Sequence, residues 1–166
     1  MTGKHKLSRI RQRRQRGNAL LEFAAAFPLL ILLIIGSTDI ARSLYDAVAV
    51  AEGAYAGSSY GTLNNVYSSN TPMISAVATA SASPDAGTVT VTPERYCDCP
   101  GNPATGPGDP NTVDCINGTC PYYGMPRVYM KTTVTTNFFS LFHWTTNGSE
   151  VGGDLTIGRS VYRRVQ

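Results

Sequence analysis

Acidic side chains are absent from the first 21 positions of this 166-residue chain, and between Arg16 and Asp39 the only ionisable group is Glu22. Histidine is scarce too. His5 lies in a basic N-terminal stretch and His143 stands among aromatics, so each reads as structural rather than as a ligand or base. The sequence is read as carrying no nucleophile elbow, phosphate loop or metal-ligand histidine cluster, and no internal repeat, which argues against an enzyme and against a bound cofactor. Cysteine is confined to four positions, Cys97, Cys99, Cys115 and Cys120, with no histidine close by. Structural zinc sites favour gaps of about two to four residues. Cys97-x-Cys99 is too tight for that pattern, so disulfides are the preferred reading. Four cysteines allow three pairings. Cys97 and Cys99 are too close to join each other, so each is expected to reach to Cys115 or Cys120.

What is present is a polarised N-terminus. Residues 1–16 hold seven of the fourteen Lys and Arg, while residues 18–166 carry seven basic and eleven acidic residues, a net of −4. The overall charge of +3 therefore reflects the leader alone. Its basic block has no interleaved aromatics and abuts an apolar run, so nucleic acid is not an expected partner. Phe23 to Gly36 is that run, and with its flanks it reaches the roughly 20 mostly apolar residues needed to cross a bilayer. Positive residues stay on the cytoplasmic side, which places the leader inside and everything after Gly36 outside. There an oxidising compartment permits disulfides. A carboxylate such as Glu22 costs about 2.5–3.5 kcal/mol near the bilayer centre and less near the interface, so its presence calls for a partner or a purpose.

The expected organisation has three parts: a disordered basic leader over 1–17, a transmembrane and amphipathic helix over 18–60 starting near Asn18 or Ala19, and an extracytoplasmic domain over 61–166 with a cysteine-rich loop at 96–121. Ile40, Leu44, Val48, Ala51 and Tyr55 recur at helical spacing and are expected to carry the domain, opposite Asp39, Arg42, Asp46 and Glu52. Gly53, Gly57 and Gly61 permit close packing but weaken the helix end. Ser58 to Asn70 reads as a loop. Thr71-Pro72, a capping residue then proline, opens a short helix over Met73 to Ser81, and Ser83 to Gly87 has turn chemistry. Thr88 to Thr92 alternates as a strand. Arg127 to Asn137 is a second strand, with Val128, Met130, Thr132 and Val134 on one face, and Leu155, Ile157 and Val161 mark a last one. Phe138, Phe139, Leu141, Phe142 and Trp144 form an apolar knot suited to covering the sheet. The fold class is α+β: a long N-terminal helix packed on a small antiparallel sheet. Asp109, Asn111 and Asp114 lack the spacing of a calcium loop and read as a solvated turn. The sequons at Asn117 and Asn147 mark surface loops.

Arg16-Gly17, Glu22-Phe23, Pro28-Leu29-Leu30, Leu32-Leu33, Gly36, Asp39, Arg42, Tyr45 and the alanines at 47, 51 and 54 together resemble the TadE-like family of Tad/Flp pilus pseudopilins, over roughly residues 16–57. Glu52 to Tyr55 departs from the family pattern, which more often has a basic residue among the alanines. The resemblance implies a non-catalytic minor pilin, cut by a prepilin peptidase between Gly17 and Asn18. It also implies a register role in assembly for Glu22, followed by the aromatic Phe23. The implied partners are the peptidase, other pilins and pseudopilins, inner-membrane assembly proteins and membrane lipid. The implied place is the bacterial inner membrane, single pass, with the N-terminus cytoplasmic and the C-terminal domain periplasmic. The alternatives are an envelope-anchored binding domain that keeps its leader, and a secreted enzyme cut beyond the apolar run.

Overall fold

A computed structural model describes residues 4–83, 88–121, 124–141, 144–146, 149–151 and 155–165, with side chains over 19–83, 88–121, 124–141 and 155–165. The chain divides into two units, Met1–Ile40 and Ala41–Gln166. Helix α1 (Lys4–Gly61) contributes to both and contains Pro28. It begins at Lys4 and not near Asn18. The lysines, arginines, glutamines and leucine of the leader are good helix formers and no proline interrupts them, so helix prevails over the expected disorder.

In the first unit every described side chain from Ala19 to Ile40 is exposed apart from the half-buried Ile35 and Asp39. Helix Ala19–Gly61 is long and apolar enough to cross a membrane by length and composition. Ser37 and Thr38 hydroxyls both donate to the Ile34 carbonyl, at 2.9 and 2.8 Å. Such back-bonding lets hydroxyls sit in a helix without an unmet donor.

In the second unit four antiparallel strands form a sheet in the order β2-β1-β3-β6: β1 (Val89–Asp98), β2 (Thr112–Val113), β3 (Arg127–Phe138) and β6 (Leu155–Arg164). Between β3 and β6 a separate hairpin pairs β4 (Trp144–Thr146) with β5 (Ser149–Val151). Strict alternation along β3 buries Met130, Thr132, Val134, Thr136 and Phe138 on one face. Against that face lie the second part of α1 and α3 (Thr71–Ser81), with Val50, Ala54, Ala78, Ala82 and Val134 as the core and Val89, Val91 and Val161 beside it. Glycine is required where the elements approach. A Cβ on Gly53 would stand 2.5 Å from Ala82 Cβ, and one on Gly57 2.9 Å from both Ala78 Cβ and Thr132 Cγ2.

The buried face of α1 is thus the small-residue one. Ile40, Leu44, Val48 and Tyr55, expected to carry the domain, are exposed, while Asp46, Ala49, Val50, Gly53, Ala54, Gly57, Ser58 and Gly61 are buried. Helical period alone cannot choose between two apolar faces. The thin Ala/Gly face allows three layers to close at short range, and this outweighs the larger area of the other. The expected loop after Ser58 is also partly helical. α1 runs to Gly61, and α2 (Asn65–Ser69) follows, its first amides capped by Asn64. Asn70, not Thr71, caps α3, accepting from the Met73 amide at 3.2 Å. β1 continues past Thr92 through Pro93 into the cysteine stretch, so that stretch is not loop throughout. Of the five residues of the expected apolar knot, Phe138 ends β3 buried, Phe139 and Leu141 are exposed, and Trp144 opens β4 in its backbone. Phe142, His143, residues 84–87 of the turn and Asn147-Gly148 of the second sequon lie outside the described residues.

Candidate functional site

Two surfaces are candidates for function: the N-terminal part of α1 and the cysteine-bearing end of the sheet. Gly17 and Asn18 are helical in backbone, and their side chains lie outside the described residues. Glu22 is exposed, as is Phe23, whose ring centroid lies 5.7 Å from that of Phe27. Positions 18 and 22 are four apart in a helix and therefore share a face. A new α-amine at Asn18 would thus stand within one turn of the Glu22 carboxylate of its own chain, or of an adjacent helix in register.

In the second unit α1 keeps an apolar stripe of Leu44, Val48 and Tyr55 open to solvent, each more than half exposed. Beside it is a 230 Å³ depression lined by Tyr45, Val48, Ala49, Glu52, Ser81 and Ser83. The Arg163 guanidinium lies 4.4 Å over the Tyr55 ring and holds it in place, a cation–π contact. Three large apolar side chains at spacings of four and seven make a ridge of the kind that helices interlock. Nothing in the sequence separates this ridge from a core face, because both have the same period.

At the sheet end, Cys97 is bonded to Cys115 and Cys99 to Cys120, with Cα separations of 5.3 and 5.4 Å. The pairs tie β1 to the loop that carries β2. Asp98, buried between them, accepts from Arg127 Nε at 2.9 Å and from the Ala104 amide at 3.1 Å. This contact holds the Arg127 guanidinium above its ordinary pKa, since the charged form is the one that donates. Asp109 accepts from the Thr105 hydroxyl at 2.6 Å and from the Thr105 and Asn111 amides, which pull its carboxyl below the usual range. Asp114 accepts from the Ile116 and Asn117 amides, with the same effect. Both carboxylates therefore serve their own turns. On the outer face of the sheet Tyr96 stacks on Tyr129 at 5.3 Å, and burial raises its hydroxyl pKa, helped by Tyr129, Tyr162 and Asp98.

A cavity of about 450 Å³ is lined by Cys99, Pro100, Asn102, Asn111, Val113 and Thr119 among others, with no ionisable side chain among its described lining residues. Among the described residues no group of three His, Cys, Asp or Glu could hold a metal ion. One spacing passes unnoticed in the sequence: Gly57-Ser58-Ser59-Tyr60-Gly61 matches the G-x-S-x-G of a nucleophile elbow. It lies inside α1, and Ser59 Oγ donates to the Tyr55 carbonyl at 2.7 Å, so it lacks the strand-to-helix turn that such an elbow requires.

No curated protein and no solved structure matches the chain. Residues 17–59 match the family model described as TadE-like protein, the family that the motif from Gly17 to Ala54 resembles, and the match associates the chain with Tad pili.

Proposed function

We propose that the chain is a minor pilin or pseudopilin of a Tad/Flp-type pilus, structural in role and cut by a prepilin peptidase after Gly17. The observation that carries this reading is the exposed apolar surface of α1. Its side chains from Ala19 to Ile40 are exposed almost without exception, and beyond them Leu44, Val48 and Tyr55 stay open although a folded domain stands beside them. A helix used only as an anchor has no need of an apolar ridge past the bilayer. A subunit that packs against the helices of its neighbours does. In this scheme the leader stays cytoplasmic, the helix waits in the inner membrane and the second unit lies in the periplasm. Glu22 pairs with the Asn18 ammonium of an adjacent subunit and sets the register, a pairing that makes a charge tolerable in an apolar setting.

The test is Glu22→Leu and Glu22→Gln, each in a strain with no other copy, scored for surface piliation with membrane level and N-terminal mass measured in parallel. Both variants are expected to insert and to begin at Asn18, and both to lose most piliation. Glu22→Gln separates charge from shape. Normal piliation by Glu22→Leu, or a mature protein that keeps its leader, overturns the proposal and leaves an anchored domain.

A further inference from the structure

The two edges of the four-stranded sheet differ. β1 is guarded: Pro93 interrupts its amide series opposite Thr132, α3 packs along it, and β2 with the Cys97–Cys115 bond closes its end. β6 has none of these. It runs ten residues, pairs along its whole length with β3, and among the described residues no strand lies on its other side. It contains neither proline nor acid. Edge strands carry a row of unpaired N–H and C=O groups and are usually blunted or occupied.

The charge on β6 says what would occupy it. Seven basic residues follow Arg16, and three of them, Arg159, Arg163 and Arg164, lie on this strand. Arg127 and Lys131 are paired, to Asp98 at 2.9 Å and to Glu94 at 2.8 Å. Arg163 is held over Tyr55. Arg159 and Arg164 are exposed and make no ion pair among the described residues. Alternation puts Arg159 with Arg163 on the helix-facing side, in register with Val134 and Met130, and Arg164 on the other side, opposite Tyr129. Positive charge therefore flanks both faces of the free edge, with exposed Leu155 and Tyr162 as apolar footholds. A second copy joined through β6 would set six guanidinium groups along one seam, and like charges opposed across strands are destabilising.

We infer that the β6 edge takes up an extended, acidic segment of a partner protein as an added strand. Main-chain hydrogen bonds would supply affinity, and Asp or Glu on the incoming strand would answer Arg159 and Arg164. The ridge on α1 takes no part, so failure here leaves the proposed subunit role standing.

The test uses the full chain in detergent micelles and a blocked peptide of about ten alternating valine, threonine and glutamate residues, with a lysine-for-glutamate peptide as its counterpart. The readout is amide hydrogen exchange along β6. The glutamate peptide is expected to slow exchange of the outward β6 amides by about tenfold or more in low salt, and the lysine peptide to leave it unchanged. In the doubly substituted Arg159→Glu, Arg164→Glu protein, with native circular dichroism, the preference should reverse. Unchanged β6 exchange up to about millimolar glutamate peptide, or equal protection by both peptides, overturns the inference. So does a peptide-free protein of dimer mass whose β6 amides are already protected, since the occupant is then a second copy.

Discussion

Helix α1 offers two stretches of one element with opposite habits. From Ala19 to Ile40 the described side chains are exposed apart from the half-buried Ile35 and Asp39. From Ala41 to Gly61 Leu44, Tyr45, Val48 and Tyr55 still point outward, but a seam of Ala, Gly and Ser with Val50 is buried against α3 and the sheet. Glycine shows the contrast at single-residue scale. A Cβ on Gly36 would meet nothing within 4 Å, whereas one on Gly53 would strike Ala82 Cβ at 2.5 Å and the Ala78 carbonyl at 2.8 Å. Between Ala41 and Gly61 close approach goes with small side chains, Val50 apart, while Leu44, Val48 and Tyr55 stay more than half exposed. A small domain closes tightly on the thin side and leaves the ridged side free.

The largest effect should come from filling the seam. Gly53→Leu forces a branched side chain against a backbone carbonyl that cannot rotate away, so the second unit should lose about 3 kcal/mol or more. Gly36→Leu should change stability by less than about 0.5 kcal/mol. Thermal unfolding followed by near-ultraviolet circular dichroism, on the full chain in detergent, compares them. Equal tolerance at the two positions breaks the contrast.

Next in size is the Cys97–Cys115 bond, whose cysteines are 18 residues apart. Chain-entropy reasoning assigns a loop of that order about 3 kcal/mol. The paired Cys97→Ser, Cys115→Ser replacement should therefore lower the urea midpoint of the second unit while the helical signal of the first is unmoved. A parallel loss of the first unit's helical signal would show that the two respond as one.

How much of this can be read from residues alone follows from what kind of signal each element carries. β3 alternates without a break from Val128 to Val134, and period two has one meaning, so both strand and buried face are legible. The apolar run beginning at Phe23 is equally plain. β1 is longer than its alternating part because strand pairing with β3 carries Pro93 and Glu94 along, which is a tertiary effect. α2 owes its turn to Asn64, whose capping is local but short. The buried side of α1 is the instructive miss: Ile40, Leu44, Val48 and Tyr55 give the stronger periodic signal, yet the seam is chosen by how near two backbones can come, which depends on Ala78, Ala82 and Thr132 far along the chain. The ridge, and with it the α1 surface on which the proposed function rests, is visible only by subtraction, once the seam is known. The Arg163–Tyr55 contact spans a separation that no local pattern encodes.

The smallest effect sharpens the contrast most. Thr132 is fully buried on β3, its Oγ1 has no hydrogen-bond partner among the described residues, and its methyl is one of the groups that leave Gly57 no room for a Cβ. A buried hydroxyl without a partner costs about 1–3 kcal/mol in lost hydration. Valine keeps the branch and replaces that oxygen by a methyl, so Thr132→Val removes the cost at the expense of slightly more bulk. If the seam is an apolar contact limited by volume alone, the variant should gain about 1 kcal/mol or less, because overpacking offsets part of what the hydroxyl loses. Urea unfolding of the full chain, with Thr135→Val on the opposite face of β3 as the reference, measures the difference. A loss of more than about 1 kcal/mol would mean that the hydroxyl is hydrogen-bonded in solution. The α1 seam would then be held partly by polar contact, and the division between a closed small face and an open large one would need a second term besides size.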